Sequence, residues 1–217
     1  MPAIFSPEAN LAAKLGLIGM AGLLLGGVGW WWLWPRTEYV RHNHWFVEQK
    51  VPFSHQHHVS GLGIDCRFCH MTVETAATAG MPPTYTCMTC HSQIWTNAAM
   101  LAPVRESLAN NTPLIWRRVT DLPDYVYFNH KIHIAKGVGC ESCHGTMQDM
   151  PLTQKARTLT MGFCLDCHRD PAPNLRPLEA IYNTEWHRTA DTPSPAALAQ
   201  QYHVGDRKLT DCSICHR

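Results

Sequence analysis

All ten cysteines of the 217-residue chain fall into five pairs, each with two intervening residues and an immediately following histidine. The five copies of this C-x-x-C-H motif cover residues 66–70, 87–91, 140–144, 164–168 and 212–216, and we number them motifs one to five. No cysteine is left over for a separate disulfide framework. This spacing constrains what the chain can fold into more than any other feature.

C-x-x-C-H is the attachment signature of c-type haem. Two thiols form thioether bonds to the macrocycle and the adjoining histidine ligates iron, so all three groups must meet one rigid ring from one turn of backbone. The predicted thioether residues are Cys66, Cys69, Cys87, Cys90, Cys140, Cys143, Cys164, Cys167, Cys212 and Cys215. The predicted proximal ligands are His70, His91, His144, His168 and His216. A zinc ribbon binds its metal with two C-x-x-C knuckles, so five motifs would leave one without a partner. Neither a zinc ribbon nor a redox dithiol needs a histidine after every second cysteine. Five covalent haems are therefore predicted.

An internal repeat offers second axial ligands, which low-spin haems take from histidine or methionine. The pattern F-[SN]-H-x-x-H opens each half of a repeat at about 53–91 and 128–168. Histidines three apart on a helical turn lie about 5–6 Å apart at Cβ, so one turn can serve two haems. We predict His55 and His58 for two haems and His130 and His133 for two more, leaving open which takes which.

The fifth motif has no such block in front of it. Its sixth ligand is predicted to come from a set of six residues: His187, His203, His42, His44, Met161 and Met150. Methionine ligation would give that haem a higher potential than the bis-histidine haems.

Residues 15–34 contain no charged side chain, and 20 residues of helix span about 30 Å, the thickness of the hydrocarbon core. Four tryptophans close the run, where interfacial rings belong. We therefore predict a single-pass anchor over residues 1–35 and an exported pentahaem domain over 36–217. Because c-type haem is attached outside the bacterial cytoplasmic membrane, the N-terminus is expected in the cytoplasm and the haem domain on the periplasmic side.

The predicted fold class is a multihaem cytochrome c, class III-like and mostly irregular with short helices, behind one transmembrane helix. Short helices are predicted over 101–111, with Pro103 in the first turn, and over 196–203, after Ser194 and Pro195. The balance of 18 Lys and Arg against 17 Asp and Glu gives no basic stripe for nucleic acid.

The phrases around the motifs carry a family resemblance. They are V-P-F-S-H at 51–55, G-L-G-I-D-C at 61–66, M-P-P-T at 81–84, L-P-D-Y-V-Y-F-N-H at 122–130, M-G-F-C at 161–164 and C-S-I-C-H-R at 212–217. In these phrases the chain resembles the membrane-anchored pentahaem cytochrome c subunit of alternative complex III, a bacterial quinol-oxidising complex of respiration or photosynthesis.

The resemblance implies an electron-transfer subunit that is not an enzyme by itself. Electrons would arrive from quinol through an iron–sulfur subunit and leave to a monohaem cytochrome c, beside polytopic quinol-binding membrane subunits. Two alternatives remain open. One is a stand-alone membrane-anchored quinol dehydrogenase, favoured by His42 and His44 near the membrane boundary. The other is a multihaem reductase with one open haem.

Overall fold

The computed structural model describes residues 6–216. These residues form two compact units, one that ends at Asn43 and one that begins at His44, and each is described by itself. Residues 1–5 of the predicted anchor lie outside the described part, and the predicted division after residue 35 stays a prediction.

One long helix, α1 (Pro7–Leu33), dominates the first unit. The Ser6 side chain caps it by accepting a hydrogen bond from the Ala9 N–H at 3.2 Å, and Pro7 occupies the first turn, where no hydrogen bond is lost. The helix therefore begins at Pro7, earlier than the uncharged run at 15–34. Its 27 residues extend about 40 Å, and it is long and apolar enough to cross a membrane.

The end of α1 is rich in aromatic and basic side chains. The Arg36 guanidinium lies 4.1 Å from the centroid of the Trp32 ring and also donates to the Trp32 carbonyl. Pro35 has no N–H to continue the helix, and a 3₁₀ turn over Trp34–Arg36 leads into α2 (Glu38–Arg41). Amphipathic rings beside a cation suit a boundary between hydrocarbon and water.

The second unit consists of short helical segments joined by irregular chain. Its α-helices are α3 (Cys66–Cys69), α4 (Thr84–His91), α5 (Ala102–Ala109), α6 (His130–Ala135), α7 (Glu141–His144), α8 (Met161–Arg169) and α9 (Pro195–Gln201). A π-helical turn covers Gln56–Gly61. The 3₁₀ turns cover Ala99–Leu101, Met147–Asp149, Ala172–Asn174, Leu178–Ala180 and Cys212–Ile214. Among residues 6–216 the extended pairings are isolated bridges, joining Phe46 to Gln154, Val126 to His216 and Val138 to Leu175.

Residues in front of the attachment motifs cap the turns that carry them. The Asp65 carboxylate accepts from the Arg67 N–H at 2.8 Å at the start of α3. Asp211 accepts in the same way from the Ser213 N–H at 3.1 Å, and the Thr160 side chain caps α8. A capping oxygen satisfies a donor that the first turn leaves unpaired. The cysteines of these motifs therefore project from fixed turns.

The two helices predicted from the sequence are confirmed with adjusted ends. α5 begins at Ala102, directly after a 3₁₀ turn, with Pro103 in its first turn. α9 begins at Pro195, where the Ser194 hydroxyl accepts from the Ala197 N–H at 3.2 Å. α6 also forms as a helical turn, whereas the equivalent turn of the first block is π-helical and begins after His55.

Buried apolar side chains gather in three small clusters of the second unit. The clusters are Val51, Leu101 and Val104; Val73, Ile134 and Ile181; and Leu175, Leu198 and Tyr202. The first cluster contacts Cys87 and Met88 of motif two. Each cluster is too small to hold the second unit together by apolar burial alone, because chain entropy opposes folding by about 1–2 kcal/mol per residue.

Candidate haem-binding site

The first histidine block is organised around a phenylalanine ring. Phe53 lies edge-on to His55, with ring centroids 4.9 Å apart, and face-on to His58 at 4.4 Å. The Nδ1 atom of His58 lies 2.8 Å from the Ser54 carbonyl oxygen, and burial lowers the pKa of His58. The ring of His58 is thus held between a backbone acceptor and an aromatic face.

The second block repeats this geometry. Phe128 lies edge-on to His130 at 4.7 Å and face-on to His133 at 4.5 Å. The Nδ1 atom of His133 lies 2.7 Å from the Asn129 carbonyl oxygen, the same four-residue offset as in the first block. The duplicated sequence pattern therefore folds into a duplicated clamp.

Backbone carbonyls also orient four of the five motif histidines. Their Nδ1 atoms face the carbonyl of Gly80 for His70 at 2.7 Å, Ile94 for His91 at 3.3 Å, Leu209 for His168 at 3.0 Å and Tyr125 for His216 at 3.1 Å. A carbonyl oxygen can only accept, so Nδ1 carries the proton and donates. The other nitrogen, Nε2, keeps the lone pair that a metal needs.

Three pairs of histidine rings, each with one ring from a block and one from a motif, have nearly the same distance between their centroids. The centroid separations are 6.2 Å for His58 and His91, 6.3 Å for His130 and His144, and 6.1 Å for His133 and His168. A metal–imidazole bond is about 2 Å long and the ligating nitrogen lies about 1 Å from its ring centre, so ligation from both sides separates two ring centres by about 6 Å. The three centroid separations match the spacing that an iron atom between two imidazoles would require.

His55 lies toward motif one. Burial lowers its pKa to about 4, and the neighbouring ring of His70 is the next cause. Its Nδ1 lies 3.2 Å from the Thr153 hydroxyl. In motif three, burial likewise lowers the pKa of His144 to about 4, followed by the effect of His130. Imidazoles with low pKa values are neutral near pH 7, and neutral imidazole is the form that binds a metal.

Each histidine block has two motifs beside it. The first block reaches motifs one and two, and burial raises the pKa of the Cys69 thiol with the Cys87 thiol as the next cause. α6 reaches motifs three and four, and burial raises the pKa of Cys143 to about 11 with the Cys167 thiol as the next cause. Motifs one and two are therefore neighbours, and so are motifs three and four.

A second set of contacts joins the two halves. The Nδ1 atom of His130 donates to the Ala77 carbonyl at 2.8 Å, which ties the second block to the chain after motif one. The Cys66 thiol, followed by burial, raises the pKa of the Cys140 thiol, so the two thiols are neighbours. Motif three therefore lies against motif one.

Motif five follows motif four. Leu209, whose carbonyl accepts from His168, is close in sequence to Cys212. Burial raises the pKa of the Cys164 thiol, and the Cys215 thiol is the next cause. Together these contacts link the motifs in the order two, one, three, four, five.

The six residues predicted for the fifth iron lie in different places. His42 ends α2 in the first unit, the His44 N–H donates to the Lys155 carbonyl, His187 is exposed, His203 pairs with Asp206 at 3.2 Å, Met150 is buried and Met161 begins α8. The ring that lies beside His216 is Tyr125, at 5.9 Å. The fifth site is thus built differently from the others.

The residues around the motifs fit a large apolar group. Phe68, Tyr85, Trp95 and Tyr125 remain 48%, 61%, 57% and 64% exposed. Covering apolar surface stabilises a fold by about 25 cal/mol per Å². A flat macrocycle beside each motif would cover such rings while its iron occupied the gap between two imidazoles.

Sequence reasoning missed two parts of this arrangement. It gave no role to Phe53 and Phe128, although both stand two residues before the first histidine of their block. That fixed offset was the available signal. It also missed the carbonyl acceptors such as Gly80 and Leu209, for which the sequence carries no signal, because any residue has a carbonyl.

No protein-family model matches the chain. The chain is similar to the menaquinone reductase multiheme cytochrome c subunit of Nitratidesulfovibrio vulgaris, with 33% identity over 124 residues. The alignment covers 57% of this chain and 56% of that protein, so the chain matches about half of its relative's length. With the short helices and the apolar N-terminal helix, this similarity confirms the predicted fold class, a multihaem cytochrome c whose N-terminal helix is able to span a membrane.

Proposed function

We propose that the chain is the electron-transferring cytochrome subunit of a membrane-bound quinone oxidoreductase complex, with one c-type haem at each of its five motifs. The observation that carries this proposal is the set of three histidine pairs at 6.1–6.3 Å, each with one ring from a C-x-x-C-H motif and one from a repeated block. The relative's name, a menaquinone reductase subunit, supports the link to a quinone.

Bound haem iron supplies reversible one-electron oxidation and reduction. The chain's own residues would hold it: the motif cysteines would form the thioether bonds, the motif histidines would ligate the iron, and His55, His58, His130 and His133 would provide the second ligands. Backbone acceptors such as Gly80 bind Nδ1 of four motif histidines and leave Nε2 available for the iron. Imidazole rings on both sides of the iron would move little when its oxidation state changes. This suits electron transfer rather than substrate binding.

The linked order of the motifs supports a conducting role. The five motifs follow one another in the order two, one, three, four, five, which we call the row. Sites two and five lie at its ends, and sites one, three and four lie inside it. A quinol yields two electrons and two protons, so a row of one-electron centres can accept its electrons singly. In this proposal quinol is oxidised on partner subunits, an iron–sulfur subunit delivers the electrons, and a monohaem cytochrome c accepts them as in alternative complex III.

α1 supplies the attachment to the membrane in this proposal. Its glycines at 16, 19, 22, 26, 27 and 29 have nothing within 4 Å of the position that a Cβ atom would take, so this helix is open to close packing by another helix. We propose that α1 packs on polytopic partner subunits in the cytoplasmic membrane, with the N-terminus in the cytoplasm and the haem domain outside.

The test is reduction of the haems by a menaquinol analogue, followed in the visible spectrum. Membranes that contain the whole complex are compared with the full-length chain purified alone from a host that attaches c-type haem. We expect fast reduction in the complex and none in the isolated chain, although dithionite reduces both. Lack of reduction in the complex would overturn the proposal.

The two alternatives give different results in the same preparations. A stand-alone quinol dehydrogenase would be reduced by the menaquinol analogue without partners. A multihaem reductase would show a high-spin haem that binds nitrite or carbon monoxide. Intact mass provides the common control, because all three functions need haem bound to the chain.

A further inference from the structure

The repeated blocks hold the rings of their last histidines alike. In each block the Nδ1 atom of this ring lies close to the carbonyl oxygen four residues earlier, at 2.8 Å for His58 and 2.7 Å for His133. The plane of His58 differs by 23° from that of Phe53, and the plane of His133 by 28° from that of Phe128. A hydrogen bond to the second nitrogen of an imidazole fixes the rotation of the ring about the metal–nitrogen direction. The two block rings are therefore oriented in the same way.

The two rings of a pair make a different angle at each of the three paired sites. The interplanar angles are 5° for His130 with His144, 30° for His133 with His168 and 67° for His58 with His91. We call the first two pairs nearly parallel and the pair at motif two crossed. Since the rings of His58 and His133 are oriented alike within their blocks, the ring whose orientation differs is that of the motif histidine, His91.

The acceptor that orients His91 belongs to its own turn of chain. The Nδ1 atom of His91 donates to the Ile94 carbonyl at 3.3 Å, three residues later. The corresponding acceptors of the other three motif histidines lie 10, 41 and 91 residues away in the sequence. The Ile94 N–H in turn donates to the Cys90 carbonyl at 3.0 Å, which folds the chain back at the end of α4. The orientation of His91 is therefore set by this local turn, whereas other segments set those of the remaining three.

Trp95 closes this turn and lies beside the ring of His91. Its φ angle is 54°, in the left-handed region that is unfavourable for a bulky side chain, and such a backbone persists only where surrounding contacts fix it. One such contact is the stack of its ring on His57, with centroids 5.6 Å apart and planes at 24°. Its ring centroid is also 6.3 Å from that of His91, with the planes at 42°. Trp95 thus bounds both the turn that carries the Ile94 carbonyl and the space in which the His91 ring can rotate.

We propose that Trp95, together with the Ile94 carbonyl, turns the His91 ring across the plane of the His58 ring, so that the haem at motif two has crossed imidazole ligands. The haems at motifs three and four then have nearly parallel ligands. Trp95 is a positioning residue, because it acts on the iron through His91. This inference rests on the proposed function and deepens it, since it takes the two rings of each pair to bind one iron atom. It gives the end of the row at motif two an electronic character that sites three and four lack.

The angle between two imidazole ligands changes the energies of the iron orbitals. Each imidazole has a filled π orbital that raises the iron dπ orbital with which it overlaps. Parallel rings both raise the same dπ orbital, whereas crossed rings raise one each and leave the two close in energy. Ferric iron with two nearly equal dπ orbitals gives the larger maximal g value in EPR. Parallel rings also favour the ferric state, because its missing electron comes from the raised orbital, so crossed rings give the haem a higher potential.

The test is quantitative EPR of the oxidised full-length holoprotein. The wild type is expected to show low-spin signals of nearly parallel ligands and, in addition, a signal whose maximal g value is clearly larger, the large-g signal. His58→Ala should reduce the large-g signal by the amount of one haem and leave the others at full intensity. His133→Ala, the same change in the second block, should reduce the signals of nearly parallel ligands by one haem and leave the large-g signal at full intensity.

Trp95→Gly tests the positioning residue. Glycine adopts a left-handed backbone without strain, so the turn can form while the ring beside His91 is lost. The haem at motif two should stay attached and low-spin, but the large-g signal should shift to a lower g value, and one potential of the redox titration should fall. Trp95→Phe, which keeps an aromatic ring in this place, should retain the large-g signal. Trp45→Gly is the matched control at a tryptophan that is 45% exposed and outside the blocks and motifs, and it should leave the spectrum unchanged.

The same spectra can contradict either part of the proposal. A wild type without a large-g signal, or loss of this signal in His133→Ala, would show that the rings at motif two are not crossed. An unchanged large-g signal in Trp95→Gly, or the same shift in Trp45→Gly, would show that Trp95 does not position His91.

Failure of this inference is distinguishable from failure of the proposed function. If menaquinol reduces the haems in the complex but no large-g signal depends on His58, the function stands and the crossed rings are wrong. If His58→Ala removes the large-g signal but menaquinol reduces no haem in the complex, the crossed rings stand and the function is wrong.

Discussion

The duplicated region and the C-terminal motif solve the same coordination problem in different ways. In the duplicated region, one F-[SN]-H-x-x-H block gives two rings to two neighbouring motifs, and Phe53 and Phe128 fix those rings alike. Motif five has a backbone-anchored histidine and the ring of Tyr125 beside it, without such a block. A repeated unit thus brings two motifs at a time beside its histidines, whereas the fifth motif lies beside a tyrosine ring.

Removing an interior site should have the largest effect on this comparison. Cys140→Ala with Cys143→Ala removes the third haem, which joins the two halves of the row. We expect the mass of one haem to be lost and menaquinol in the complex to reduce only the haems on the donor's side of the break. Intact mass and visible spectra of the complex measure both effects.

Cys212→Ala with Cys215→Ala is the matched change at the end of the row. It should also lose one haem, but the four remaining sites stay in an unbroken sequence of neighbours, so their four haems should be reduced by menaquinol together. If menaquinol reduces the same number of haems in the two double variants, the order of the motifs given above is wrong.

Removing a single distal ring should leave the haem attached but change its spin state. His58→Ala and His133→Ala each break one pair, at 6.2 Å and 6.1 Å, and should each give one high-spin haem that binds carbon monoxide. EPR measures the spin state. His57→Ala is the control, since His57 stacks on Trp95 at 5.6 Å and has no predicted ligand role. A high-spin signal in His57→Ala would show that the pairs are misassigned.

The phenylalanine of each block should contribute a smaller, stabilising effect. Phe53→Leu and Phe128→Leu keep an apolar side chain but remove the aromatic contact with His58 or His133. We expect a loss of about 1 kcal/mol in the free energy of unfolding for each, because ring pairs contribute on that order beyond their buried area. Denaturant titration of the holoprotein measures it. Phe46→Leu, at a ring that is 58% exposed and outside the blocks and motifs, is the comparison, and an equal loss there would remove the special role of the block phenylalanines.

The smallest expected effect concerns the cap of α3. Asp65→Ala removes the oxygen that accepts from the Arg67 N–H and should cost about 0.5 kcal/mol of stability, because this cap is exposed to solvent. The hydrogen bond from the Arg67 side chain lowers the pKa of Asp65, so the stabilisation is present above the ordinary carboxyl pKa and is lost as pH falls through the lowered value. The wild type should therefore lose more stability than the variant between neutral and acid pH. Unfolding curves followed by circular dichroism at several pH values measure this. If the free energies of unfolding of the two proteins fall equally with pH, Asp65 does not act as a cap.

Local chemistry made much of this protein predictable from its sequence. Attachment needs two thiols and an imidazole on one turn, so the five motifs can be identified by spacing alone. The helix caps at Ser6 and Ser194 and the proline after each follow from the needs of a first turn. The use of His55 with His58, and of His130 with His133, as ligands of two haems each stays a prediction, and it rests on a pattern that occurs twice.

Tertiary structure decided everything that depends on which distant segments meet. The sequence did not say that His58 lies opposite His91 or that His133 lies opposite His168, because both rings of a block have the same local chemistry. It did not order the motifs, since the contact of His130 with Ala77 is fixed only when the two halves pack. For the fifth site, the sequence offers six residues of suitable type, and only the fold shows that they lie on different elements.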